Sequence, residues 1–111
     1  MTDYAAVLTA TYPDALWGLT NNDLSTLTWD ESNVAKKPTK KALDEAAPQV
    51  ERDLEWKAIR AERDRRLAAS DWTQVSDAPV DAAAWAAYRQ QLRDLPQNYI
   101  LPSDVEWPQE P

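Results

Sequence analysis

Arg60, Arg63, Arg65 and Arg66 crowd into the run RAERDRR. Guanidinium groups gathered in this way can grip phosphates or other anions. They can equally offset the negative end of a helix dipole, and Glu62 and Asp64 are interleaved to neutralise them. The chain carries 12 basic and 19 acidic residues, a net charge of −7. That balance opposes a sequence-independent grip on nucleic acid and an anionic membrane surface. A small helical nucleic-acid binder is therefore the least favoured reading.

Other catalytic chemistry is thinly supplied. There is no histidine and no cysteine, so imidazole bases, thiolate nucleophiles and the common zinc sites are excluded. The one glycine, Gly18, rules out glycine-rich phosphate loops. Ser32, Ser70 and Ser76 have no base in a recognisable motif, and no spacing singles out a carboxylate pair. The expectation is a protein that is not an enzyme, with no cofactor and no metal.

What remains is aromatic. The chain has six Trp and four Tyr but no Phe. Such rings favour places where one edge is buried and the other meets water. Trp17, Trp29, Trp72, Trp85, Tyr88, Tyr99 and Trp107 are accordingly candidate partner-binding residues, against the plainer reading that tryptophan fills the core of a Phe-free chain. At 111 residues with 43% apolar content, one domain with a modest core is expected, and oligomerisation or a partner could supply further burial.

The elements that would position these rings can be read in order. Residues 1–11 are too short and mixed to assign. Leu16, Trp17 and Leu19, then Asn21-Asn22-Asp23, then Leu24, Leu27 and Trp29 predict a β-hairpin, because Asn and Asp tolerate left-handed backbone. Pro38-Thr39 predicts a helix start with Thr39 as the N-cap. Pro48 then either bends that helix or opens a new one. Leu43, Ala47, Val50, Leu54 and Ala61 fall near heptad spacing, a weak coiled-coil seam. Asp81 can cap a second helix whose narrow apolar stripe is Trp85, Tyr88, Leu92 and Leu95, stopped by Pro96.

Between the helices lies SDWTQVSDAP, and the nine-residue QVSDAPVDA connection is short enough to fold the second helix back as a helical hairpin. Trp72 is expected to plug the open end of that hairpin. The tail from Pro96 is held extended by prolines, yet it keeps Tyr99, Ile100, Leu101, Val105 and Trp107, which suggests a strap laid over a surface. The fold expected is mainly α with a small N-terminal β-hairpin: a long helix kinked near Pro48, an antiparallel second helix and an extended C-terminal tail. The divisions are a hairpin segment over 1–35, a helical hairpin over 36–96 and the tail over 97–111. No apolar run is long enough for a membrane span, and MTDYAAVLTA lacks the basic start of a secretory leader, so an intracellular protein is expected.

Arg60 to Pro96, RAERDRRLAASDWTQVSDAPVDAAAWAAYRQQLRDLP, resembles the phage tail assembly chaperone family. The residues that carry the likeness are Arg60 and Arg63, Ser70-Asp71-Trp72-Thr73, Asp77-Ala78-Pro79, Trp85 with Tyr88-Arg89-Gln90, Leu92-Arg93-Asp94-Leu95-Pro96, and Trp107-Pro108. The front half is more loosely similar to phage tail-associated proteins. The resemblance implies a non-enzymatic phage protein that helps tail-fibre or other tail subunits fold, oligomerise or attach. Its expected place is the host cytoplasm during assembly, with retention in the virion tail and self-association, as a trimer, left open. A permanent structural component at a tail or baseplate–fibre joint is the alternative.

Overall fold

A computed structural model describes residues 1–111, and the chain falls into two compact units, Met1–Glu51 and Arg52–Pro111. The order of elements is helix α1 (Tyr4–Thr11), strands β1 (Trp17–Thr20) and β2 (Asp23–Trp29), helix α2 (Lys40–Ser70) and helix α3 (Ala82–Asp94). Short 3₁₀ turns follow α2 at Asp71–Gln74 and α3 at Leu95–Gln97, and a third lies at Pro102–Asp104. The protein is thus mainly helical, with one antiparallel hairpin near its N-terminus, as the patterning predicts.

In the first unit the hairpin turns at Asn21 and Asn22, whose φ angles are 51° and 60°. Two consecutive left-handed residues are the mark of the type I′ turn, whose twist suits flanking strands. Trp17 pairs with Trp29 and Gly18 with Thr28, but Thr20 pairs with Asp23, so the register slips between Gly18 and Thr20. Thr26 fills the irregularity: its Oγ1 accepts from Thr20 N at 2.9 Å and donates to Asp23 O at 2.6 Å. Gly18 has a steric reason to be glycine, since a Cβ there would meet Thr28 Oγ1 at 2.8 Å.

Helix α1 occupies residues that sequence patterning left unassigned. Eight residues are too few to be stable as an isolated helix, so tertiary contacts must hold it. Asp3 caps it through Ala6 N at 3.0 Å. Asn22 reaches from the hairpin turn, accepting from Tyr4 N at 2.8 Å and donating to Thr2 O at 2.7 Å. Tyr4 Oη donates to Asp44 at 2.6 Å, and Lys40 holds the other oxygen of that carboxylate at 2.8 Å. With these two donors, Lys40 first, the Asp44 carboxyl lies below its usual range.

The core of this unit is Val7, Leu8, Leu27, Leu43, Ala47 and Val50, with Tyr12, Trp17, Leu19 and Trp29 packed against it. Thr39 caps α2, its Oγ1 accepting from Ala42 N at 3.1 Å, and the helix continues through Pro48 to Ser70. Proline lacks the N–H that would bond the Asp44 carbonyl; the helix persists because Leu43, Ala47 and Val50 on either side of Pro48 are buried. The same burial corrects the seam expected from Leu43 to Ala61. Its first three members are spent within the chain's own core, whereas Leu54 is 46% exposed and Ala61 is exposed.

In the second unit Asp81 caps α3, accepting from Ala83 N and Ala84 N at 3.1 and 3.2 Å. The predicted stripe faces inward: Tyr88, Leu92 and Leu95 are buried, and Trp85 partly so. Pro96 ends the helix in a 3₁₀ turn. The tail is extended apart from its short turn at Pro102–Asp104, where Pro102 is buried. No helix is long and apolar enough to cross a membrane.

Candidate partner-binding surface

The second unit is organised around the end of α2. A helix terminus leaves carbonyls without intrahelical partners, and the last turn of α2 contains no basic residue. The arginine cluster therefore does not cap its own helix, contrary to the dipole expectation. Arg89 of α3 supplies the cation instead. Its Nη1 donates to Leu67 O at 2.6 Å and to Ser70 Oγ at 2.7 Å, while Nη2 donates to Asp71 Oδ1 at 2.6 Å.

Two hydroxyls complete this junction. Ser70 Oγ donates back along the helix, to Arg66 O at 2.9 Å and Leu67 O at 3.2 Å. Thr73, wholly buried, donates to Ser70 O at 2.6 Å. Gln74 then spans to the start of α3, donating to Thr73 Oγ1 at 3.2 Å and Ala82 O at 3.1 Å. No buried side-chain nitrogen or oxygen lacks a partner, so this polar knot is satisfied and rigid rather than a source of strain.

Trp72 is not the expected plug, because the residue is 50% exposed. In a 3₁₀ turn residues three apart eclipse, so Thr73 stands over Ser70 and faces inward while its neighbour Trp72 turns outward. The indole lies against Trp85 at 6.3 Å between centroids, tilted by 51°, and Trp85 meets Tyr88 edge-on at 5.6 Å. Three of the candidate rings thus form one row running from a half-exposed face at Trp72 to the buried Tyr88. Val75, 53% exposed, follows shortly after Trp72 in the chain.

The remaining candidates lie apart from that row. Trp17 and Trp29 face each other across the hairpin. Trp29 stands edge-on to Tyr12 at 5.3 Å and donates its Nε1–H to Ala35 O at 2.9 Å. Tyr99 Oη donates to Glu106 O at 3.4 Å. Trp107 lies under the guanidinium of Arg66, 4.1 Å from the ring centroid, a cation–π clasp that fastens the tail to α2.

The arginine cluster is consumed in the same way. Arg65 and Arg66 both bind Glu62, at 2.6 and 3.0 Å. The Arg65 bond, followed by that of Arg66, holds the Glu62 carboxyl far below its usual range, at about 2. Arg63 pairs with Asp64 at 3.0 Å, and Arg60 sits over Trp56 at 5.9 Å. Cations so engaged are poorly placed to release counterions from a phosphate backbone. No group of three or more carboxylates converges as a metal site.

Arg89 and Thr73 stand out in the sequence only as part of the family likeness, and their places in this junction are not anticipated there. The signal for Arg89 was present: it lies four residues after Trp85 and three before Leu92, on the apolar face of α3, where a charge needs a buried partner. For Thr73, beyond its place in that likeness, no comparable physical sign foretells burial.

Comparison with known proteins reaches this unit and stops short of the hairpin. The family model described as phage tail assembly chaperone protein matches residues 56–111, just over half of the chain. No curated protein and no solved structure matches it.

Proposed function

The chain belongs to the phage tail assembly chaperone family, and on that premise we propose that it binds a tail-fibre or other tail subunit in the host cell and guards it while it folds, oligomerises or attaches. The observation that carries this reading is the coincidence of the family match with the unit that displays Trp72. A half-exposed indole backed by a second indole is an anchor of the sort that dominates protein interfaces. It sits on a rigid polar knot, so little ordering is needed on binding. Trp85 extends the surface on the same unit, while Tyr88 supports it from inside. The family assignment supports a non-enzymatic role.

Co-expression with the tail-fibre subunit, followed by co-purification and sizing, tests the proposal. A stable complex is expected, weakened in Trp72→Ala by far more than the loss of stability of the free protein accounts for. Failure to co-purify with any co-expressed tail subunit would sink the reading. Mass spectrometry of purified virions separates a transient chaperone, which is absent, from a resident joint component, which is present in stoichiometric amount.

A further inference from the structure

The C-terminal segment is fastened in two different ways. As far as Val105 its own backbone fixes it: Pro102 is buried, Asp104 N donates to Leu101 O at 3.1 Å, and Val105 N donates to Pro102 O at 3.3 Å. Beyond Val105 the one hydrogen bond is that of Tyr99 Oη to Glu106 O, 3.4 Å long and exposed, and none reaches α2 or α3. Trp107 and Pro108 are half-buried, whereas Gln109, Glu110 and Pro111 are exposed. Residues 106–111 are therefore held down chiefly by a ring contact, the Arg66 guanidinium carbon 4.1 Å from the centroid of the Trp107 indole.

That contact is prepared from the helix side. An arginine side chain left to itself samples many rotamers. Glu62, one turn earlier on α2, accepts from Arg66 Nε at 3.0 Å. Its carboxylate is held in turn by Arg65, through both oxygens, at 2.6 and 2.7 Å. The bond to Nε sets the plane of the Arg66 guanidinium and leaves its face for the indole. On the other side, Trp107 precedes Pro108, which biases its backbone to the extended form whether docked or free. Little conformational freedom is then lost each time the ring closes.

A guanidinium on an indole at a half-exposed site favours the closed form by roughly 2- to 30-fold. Open molecules are thus a minor but regular population that needs no unfolding of the helices. We infer that residues 106–111 form a strap that opens and closes over α2, hinged at the turn Pro102–Asp104, with Trp107 on Arg66 as its latch and Glu62 as the residue that positions the latch. Closed, the strap occupies this flank of α2. Open, it bares the face of the Arg66 guanidinium and presents Trp107 to solvent in the same movement. The device lies within one chain, so it does not depend on which tail subunit is bound.

Proteolysis reads the opening, because a protease cuts an extended segment only while it is free of its support. An endoproteinase specific for glutamate, applied to the folded whole chain, cuts the Glu106–Trp107 bond in the strap; cleavage after Glu55, inside α2, monitors unfolding. Arg66→Gln and Glu62→Gln both leave the scissile bond unchanged. Each should speed cleavage after Glu106 by about threefold or more, with cleavage after Glu55 and the circular dichroism unaltered. Because Glu62 acts through Arg66, the double variant should be cut no faster than Arg66→Gln alone. A rate after Glu106 that ignores Arg66→Gln overturns the inference. So does a gain matched after Glu55, which makes release a part of unfolding, or effects that multiply in the double variant, which removes Glu62 from the latch.

Discussion

Nη1 of Arg89 lies 2.6 Å from the carbonyl oxygen of Leu67, so a side chain of α3 closes the open end of α2. The guanidinium is 10% exposed at its side chain, while its carboxylate partner Asp71 is 67% exposed. The two halves of this contact therefore differ in worth. Replacing Arg89 by Met strips a buried terminus of its charged donor and should lower stability by about 2–3 kcal/mol. Replacing Asp71 by Ala removes a solvated pair and should cost under about 1 kcal/mol. Urea denaturation of the two variants gives the comparison, and equal losses would mean that the ion pair, not the cap, holds the junction.

Trp72 and Thr73 should matter about equally to stability, against the expectation from side-chain size. The half-exposed indole contributes mainly its contact with Trp85, so Trp72→Ala should cost about 1–2 kcal/mol, well under the loss for a buried ring. Thr73→Val keeps the volume but removes the hydroxyl that donates to Ser70 O. It should cost about 1–2 kcal/mol despite the conservative change. Thermal melts of both proteins under one condition decide the matter.

The two turn asparagines should also part company. Both have positive φ, which glycine tolerates. Asn21→Gly is expected to lie within about 0.5 kcal/mol of the parent. Asn22→Gly suits the backbone equally well but loses both side-chain bonds to the start of α1. It should cost about 1–2 kcal/mol and should raise amide exchange at Tyr4 selectively.

Glu62 sets an acid response. Its folded value near 2 lies below the ordinary glutamate value of 4.5, so folding favours the ionised form. The contribution is fully present above the unfolded value, fades as pH falls from about 4.5, and is gone once pH passes below about 2. Carboxyl NMR should show Glu62 still ionised well below the ordinary glutamate value, and Arg65→Gln should move its midpoint upward. An unshifted midpoint in the native protein would exclude the two-arginine grip.

The sequence by itself determined those features whose causes are local. Consecutive asparagines between apolar runs define the hairpin, because few other residues accept left-handed backbone. Thr39 and Asp81 announce their helices through caps that need only the next three residues. The stripe Trp85, Tyr88, Leu92 and Leu95 reads directly as the buried face of α3. The unusual string around SDWT carries the family likeness without any geometry.

Only the tertiary structure decided what depends on residues far apart in the chain. Helix α1 is too short to declare itself and exists through bonds to Asn22 and Asp44. Leu43, Ala47 and Val50 could have faced another helix, but α1 and the hairpin cover them first. Trp72 turns outward and Thr73 inward because Arg89, eighteen residues beyond Asp71, draws the end of α2 against α3. Local pattern sets propensity and phase, whereas burial is settled by whichever distant surface arrives to exclude water.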